Sequence, residues 1–333
     1  MPSVLYAYSR KVTFTDIDRA VLAERYEVRD WYQPGRVTNL FRLVPLLLRS
    51  DAVFGWWAHW HTFFPITLAW LLRKPSVLVI GGFDTASKPE IGYGHQRGGL
   101  RKHLSRWIMR RATVLVTNSL YSRGEIEANI GDSIAERVRV VHHGVPDRFG
   151  EPRAEKRERM ALTVGIVDRS NLERKGHRAF VEAAAALPDV AFVLAGREVG
   201  DAGDALREDS PPNVQLTGWL EDDDLEDYYR RAAVYVQASE HEGFGLSVAE
   251  AMLAGCVPVV SQAGALPEVV DGAGMILEGR EAGDVADGVR RALEAGPELA
   301  HSARERVLRE FPLEVRSEGL HQAMEEALAA RGK

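Results

Sequence analysis

Val234-Tyr-Val-Gln237-Ala-Ser-Glu-His-Glu242-Gly-Phe-Gly-Leu246-Ser-Val-Ala-Glu250-Ala-Met-Leu-Ala-Gly255-Cys-Val-Pro-Val-Val260 reads as a strand, a glycine turn, a helix and a second strand. Val234 to Gln237 is a short β-branched and aromatic run suited to a buried strand. Gly243 and Gly245 allow a tight turn and a close backbone approach. The helix predicted from Leu246 to Ala254 stops at Gly255, and Val257 to Val260 supplies the next strand. A helix between two buried strands is the repeating step of a parallel α/β sheet.

The same step recurs in both directions. Upstream, Ala161-Leu-Thr-Val-Gly165, Val190 to Ala195 and Val214 to Leu216 read as strands with helices between them. An earlier series comprises Val4 to Tyr8, Asp51 to Trp57, Val77 to Ile80, Val114 to Thr117 and Val138 to Val141. Arg148 to Arg159 interrupts the pattern with charge, Gly150 and Pro152, and is read as a linker. The expectation is two Rossmann-like doubly wound domains, 1–150 and 151–312, with a final helix over 313–333. Ligands bind outside the carboxyl ends of strands in such folds, and two domains placed face to face leave a cleft.

At 333 residues, 45% apolar and 27% charged, the chain has the composition of an ordinary globular protein. The single cysteine, Cys256, excludes an internal disulfide framework and a cysteine metal cluster. The first residues carry no charged leader or cleavage site, so a reducing, cytoplasmic location is expected. Ala52 to Leu72 lacks Asp, Glu, Lys and Arg, but Gly55, His59, His61 and Pro65 divide it. It reads as a buried strand followed by a helix from Pro65 to Leu72, not as a membrane span. The net charge of −6 hides an asymmetry. Residues 1–150 hold 21 Lys and Arg against 13 Asp and Glu, a net of +8, and the remainder holds 21 against 35, a net of −14. A basic first half suits an anionic acceptor or lipid surface, although uneven surface charge alone gives the same count. No nucleic-acid partner is expected.

The turn before Leu246 places free backbone N–H groups and a positive helix end at a strand's carboxyl terminus, which is an anion site. Glu242 stands just before the turn and Glu250 on the second helical turn. Both can accept hydrogen bonds from sugar or ribose hydroxyls. Val164-Gly-Ile-Val-Asp-Arg169-Ser-Asn-Leu-Glu-Arg-Lys175-Gly176 follows the first strand of the second domain. Arg169, Arg174 and Lys175 place cations in this loop.

Taken with Gly255-Cys-Val-Pro-Val-Val-Ser261 and Gly264-Ala-Leu-Pro-Glu-Val-Val270, these segments resemble the E-x7-E signature of the retaining GT-B glycosyltransferases, the large group 1 family. The resemblance implies the GT-B fold, with the last helix returning to the first domain. It implies a metal-independent enzyme moving a hexose-type sugar from a nucleotide diphosphate sugar to an acceptor hydroxyl, in bacterial polysaccharide, lipid-linked glycan or glycoconjugate synthesis. It assigns Glu242 to the donor sugar, Glu250 to the ribose, and Arg169 and Lys175 to the diphosphate, with Arg174 set aside on spacing. It also assigns the backbone of Gly243, Phe244, Gly245 and Leu246 to sugar and phosphate, and Gly218 and Trp219 to the base. Glu221-Asp-Asp-Asp224 reads as the acidic start of a helix, not as a metal motif.

The first half departs further from the pattern. Tyr8-Ser-Arg-Lys11 replaces the usual glycine-rich loop. His59 and His61 follow a strand and are candidates for the acceptor side; as an H-x-H pair they lack a visible third metal ligand. Gly81-Gly-Phe-Asp84 resembles a loop of bacterial members. Asp84 either binds acceptor or caps the next helix, and Tyr93 lies nearby. Arg97 to Arg111 is basic and amphipathic, with Leu100, Leu104, Trp107, Ile108 and Arg111 near one face. It either contacts an anionic membrane from the inner side or is a solvated helix packed by its apolar face. A non-hydrolysing nucleotide-sugar epimerase and a non-catalytic nucleotide-sugar-binding partner are the rival functions. A nicotinamide dehydrogenase is disfavoured, because no G-x-G-x-x-G follows either domain's first strand.

Overall fold

The computed structural model describes residues 1–150 and 157–330. They divide into two compact units: Met1–Gly144 with Leu313–Lys333, and Val145–Pro312. In the first unit, strands β1 (Ser3–Tyr8), β2 (Glu27–Tyr32), β3 (Ala52–Trp56), β4 (Ser76–Val79), β5 (Val114–Thr117) and β6 (Val138–Val140) form one sheet, in the order β2-β1-β3-β4-β5-β6. All its pairings are parallel. Strand side chains alternate between faces, so β1 feeds two cores. Leu5 and Ala7 enter one, with helices α2 (Leu40–Leu48), α3 (Trp60–Leu71) and α4 (Gly99–Arg111). Val4, Tyr6 and Tyr8 enter the other, with Val21 and Leu22 of α1 (Thr13–Arg25). Helices α5 (Leu120–Asn129) and α6 (Asp132–Ala135) complete the series.

The second unit repeats the scheme with β7 (Glu158–Val164), β8 (Ala191–Ala195), β9 (Val214–Gly218), β10 (Ala232–Gln237), β11 (Val257–Val260) and β12 (Met275–Ile276). The order is β12-β11-β10-β7-β8-β9, again parallel throughout. Met160, Leu162 and Tyr235 face one core, and Ala161, Val234 and Val236 face the other. Its helices are α7 (Arg169–Arg174), α8 (His177–Ala183), α9 (Ala202–Arg207), α10 (Asp222–Arg231), α11 (Leu246–Ala254), α12 (Leu266–Val270), α13 (Ala282–Glu294) and α14 (Pro297–Glu310). Two six-stranded parallel sheets, each with helices on its faces, make this the GT-B fold.

Helix α15 (Leu313–Ala329) belongs to the first unit, where it packs on α1, β4 and β5. Its Arg316 is fully buried. The guanidinium donates to both carboxylate oxygens of buried Asp18, at 2.9 and 2.6 Å, and to Val141 O at 2.6 Å. Gly144 lies beneath it, where a Cβ would come within 2.8 Å of Leu313 Cα.

Several boundaries differ from the sequence reading. The division falls after Gly144, so Val145–Gly150 goes with the second unit. Of the expected linker, 151–156 lies outside the described residues, while Glu158 and Arg159 already belong to β7. Their charges are taken up by Arg231 at 2.7 Å and Asp189 at 2.8 Å. The helix expected from Pro65 begins at Trp60, with Pro65 inside it. A proline on the second turn removes one backbone donor without preventing the helix. β2 is an edge strand whose Asp30 pairs with Arg19 at 2.7 Å.

Candidate functional site

The strand order of the second unit reverses between β7 and β10, and an open parallel sheet binds ligands beyond its strands' carboxyl ends at such a point. β7 runs into Gly165, α7 and Lys175. β10 runs into Glu242 and the turn before α11. The two connections are tied together. Glu240 N donates to Arg174 O at 2.7 Å. Arg280 donates to Glu240 Oε2 at 2.9 Å, to Ala238 O at 3.2 Å and to Glu173 O at 2.9 Å. Gly176 has φ +71°, and a Cβ there would meet Ala238 O at 2.4 Å, so only glycine allows the two loops this close.

Lys175 Nζ donates to Glu242 Oε2 at 3.2 Å, with about a fifth of each side chain exposed (18% and 21%). Burial pushes the Glu242 carboxyl up, but Lys175 and Arg174 outweigh it and hold the group below the usual range, as a carboxylate. His177 packs under the lysine, near Gly165. Burial, then Lys175 and Arg174, push its pKa down to about 3, so it adds no positive charge. Gly264, with φ +64°, passes so close to Glu242 that a Cβ would stand 2.2 Å from its carbonyl oxygen. A cation and a carboxylate are thereby fixed at one strand end. The lysine can stabilise phosphate oxygens and the carboxylate can accept from hydroxyls.

Arg169 does not join them. Its guanidinium makes a bidentate pair with Asp201, at 2.8 and 2.7 Å, and both side chains are exposed. Arg174, at the other end of α7, is the cation whose field reaches Glu242. It donates to Asn171 Oδ1 at 2.6 Å and to His241 O at 3.4 Å. Gly245, with φ +103°, begins α11 without a capping side chain. The Phe244 ring is buried edge-on against Phe311, at 5.2 Å, so this residue offers its backbone only; Leu246 is partly buried in the same core. Glu250 Oε2 accepts from Tyr229 OH at 3.3 Å, and Arg148 lies 3.7 Å from Oε1. Burial raises the Glu250 carboxyl, with Arg148 opposing. Gly218 ends β9, and Trp219 beside it is 66% exposed. Asp222, Asp223 and Asp224 form the first turn of α10.

In the first unit, His59 precedes α3 and stacks on His95 at 4.8 Å. His61 is buried at 2.6 Å from Trp56 O. A carbonyl only accepts, so His61 Nε2 carries a proton and donates it. Burial pushes His59, His61 and His95 each down to about 4. Asp84 is buried. One oxygen accepts from Gly81 N in its own loop and the other from Ala58 N, each at 2.9 Å, so the carboxyl ties its loop to the connection between β3 and α3. Burial pushes it up to about 7 against those bonds. Tyr93 is half-buried, edge-on to Phe83 at 4.9 Å.

Residues 159–295 match the family described as Glycosyl transferases group 1. The matched stretch lies within the second unit and runs from β7 into the loop after α13. The glycogen synthase of Mycobacterium tuberculosis is 28% identical over 268 residues, covering 73% of this chain and 63% of the relative, so the chain spans less than two thirds of that protein's length. Sucrose-phosphate synthase from Thermosynechococcus elongatus shares the fold at 19% identity, with a TM-score of 0.77 over 99% of both chains. So does the Anabaena protein HepE in complex with UDP-glucose, at 16% identity and a TM-score of 0.75, over 97% of this chain and 99% of that one.

Some supports of the site in the second unit were not read from the sequence. Tyr235 OH accepts from Val164 N at 3.3 Å and donates to Gln237 Oε1 at 3.1 Å, and Gln237 Nε2 donates to Ser239 Oγ at 2.6 Å. This buried chain joins the ends of β7 and β10. A polar residue at two inward positions of an otherwise apolar strand was the available signal. Arg280 gave none, since it lies 40 residues from its Glu240 partner.

Proposed function

We propose that this chain is a retaining, metal-independent glycosyltransferase that moves a sugar from a nucleotide diphosphate sugar to an acceptor hydroxyl. The observation that carries the reading is the Lys175–Glu242 pair at the switch point of the second unit. Lys175, with Arg174 behind it, stabilises the charge that grows on the departing diphosphate. Glu242 stays ionised and accepts from a sugar hydroxyl, Glu250 accepts from the ribose, and the turn before α11 offers backbone N–H groups to phosphate. Trp219 and Gly218 receive the base. Arg169 is a peripheral contact in this reading. The acceptor is held by the first unit, where His59 and Tyr93 have exposed edges, while Asp84 and His61 shape the loops behind them. The C1–O bond to the diphosphate breaks, the acceptor oxygen bonds to C1 on the same face, and the leaving phosphate takes the hydroxyl proton.

A thermal-shift screen of nucleotide diphosphate sugars identifies the donor, because a ligand that binds the native state raises the melting temperature. UDP-glucose is the first to try, given the Anabaena complex. The donor so found is then incubated in chelator with an acceptor panel, and the anomeric configuration of the product is read. Transfer with retained configuration is expected. An epimerised donor formed without acceptor, or a requirement for metal, would overturn the reading.

A further inference from the structure

The outward face of the α2–α3–α4 layer has side chains that the fold leaves uncovered. α2 is apolar at every position but Arg42. Leu43 and Leu47 enter the core, while Leu40 (41% exposed), Phe41 (96%), Val44 (37%) and Leu48 (56%) face out, preceded by Val37 (90%). Packed surface helices ordinarily turn polar residues outward. α3 ends in exposed Trp70 and Leu71, and exposed Leu72 follows it. On α4, Leu104 and Ile108 are buried, whereas Leu100 and Trp107 are exposed, seven residues apart on one stripe.

These residues belong to one continuous layer. α3 packs on both α2 and α4. Lys74, just after α3, donates to Leu48 O at 3.1 Å and also to Ser50 O. Trp107 Nε1 donates to Thr67 Oγ1 at 3.2 Å, and the Arg111 guanidinium lies over both the Trp107 and Trp70 rings. The three helices contain no Asp or Glu, while α4 carries Arg101, Lys102, Arg106, Arg110 and Arg111.

We propose that this face docks the protein on an anionic lipid bilayer, with the apolar side chains of α2 and the end of α3 entering the acyl boundary and the cations of α4 lying among the headgroups. Protruding apolar side chains need no matching pocket in a bilayer. Tryptophan and arginine together are suited to its interface. Apolar insertion and a basic surface are also the two signals that together give stable peripheral anchoring. No helix among the described residues is long and apolar enough to cross a membrane, so the contact is peripheral.

The test is co-flotation of the full chain with vesicles of phosphatidylcholine alone and of phosphatidylcholine mixed equally with phosphatidylglycerol. Binding to the mixed vesicles only, weakened by salt, is expected. Phe41→Ser with Leu48→Ser, and separately Arg101→Glu with Arg110→Glu, should each cut binding about tenfold or more. Melting temperature checks that the variants fold, since all four residues are exposed. Failure of the wild type to bind mixed vesicles, or binding that neither variant weakens, overturns the proposal. So does sedimentation showing a dimer that Phe41→Ser dissolves, which would mean a second copy covers the face.

Discussion

The strand ends of the two units use ionisable groups in opposite ways. At the second unit's switch point Lys175 and Glu242 face each other across 3.2 Å, both partly exposed, with the carboxylate held ionised. In the first unit the corresponding region keeps its histidines uncharged, with Arg101, Arg10 and Arg36 acting on His59. His59, His61 and His95 are pushed down to about 4, and Asp84, pushed up to about 7, uses its oxygens on the backbone of two connections, at Gly81 and Ala58. Like architecture therefore gives one unit a charged pair at its switch point, and the other buried titratable groups shifted by desolvation. Even the charged pairs differ. Asp18–Arg316 is buried on both sides, whereas Arg169–Asp201 stands in solvent.

The largest effect is expected from breaking the buried pair. Asp18→Ala leaves Arg316 charged and unpaired in the first unit's core, a change that costs about 3–5 kcal/mol. Six of the seven tryptophans lie in Met1–Gly144, so intrinsic fluorescence during urea unfolding reports this unit. An unchanged midpoint would mean the pair contributes nothing to holding α15. Next, Lys175→Ala should lower turnover about 10²–10³-fold, the loss seen when one preorganised electrostatic contact to a transition state is removed. Glu242→Gln should be of similar size, and native rates in either would remove the site from that strand end.

A smaller effect sharpens the neutral side of the comparison. A histidine with a lowered folded pKa contributes stability that is full above about 6.5 and is lost as pH falls towards 4. Asp84 acts in the opposite sense: its raised pKa favours folding below about 4, and that contribution is lost as pH rises through 7. On acidification from 7 to 4 the three histidines lose and Asp84 gains. Asp84→Asn should therefore steepen the acid-side loss of first-unit stability by about 1.4 kcal/mol per pH unit. Fluorescence-detected urea midpoints at stepped pH measure this, and parallel curves for variant and wild type would refute it. The smallest effect is reserved for Arg169→Ala, expected to change turnover by no more than a few-fold. Arg174→Ala should cost about tenfold, since a charge-assisted contact is lost. The reverse ranking would restore Arg169 to the diphosphate.

The sequence carried the repeating strand–helix step because buried parallel strands are near-continuous apolar runs, as in Val234 to Gln237 and Val257 to Val260. β2 escaped because an edge strand tolerates Arg29 and Asp30. Lys175 and Glu242 were singled out by the resemblance of their segments to a known family, each segment beginning at a strand end. Spacing alone did not show that Arg169 pairs with Asp201, 32 residues on, while Arg174 meets the loop after β10. The role of Asp84 turned on which backbone groups surround it. The Asp18–Arg316 pair, 298 residues apart, left no local trace at all.

That pair also has a consequence for how the protein is made. The first unit takes α15 into its core, and α15 is translated only after all of Val145–Pro312. During synthesis the second unit can therefore close first, while Asp18 and the face of β4 and β5 wait for their partner helix. A nascent chain halted before Leu313 would offer that uncovered surface to chaperones, although its sheet-forming residues have all been made.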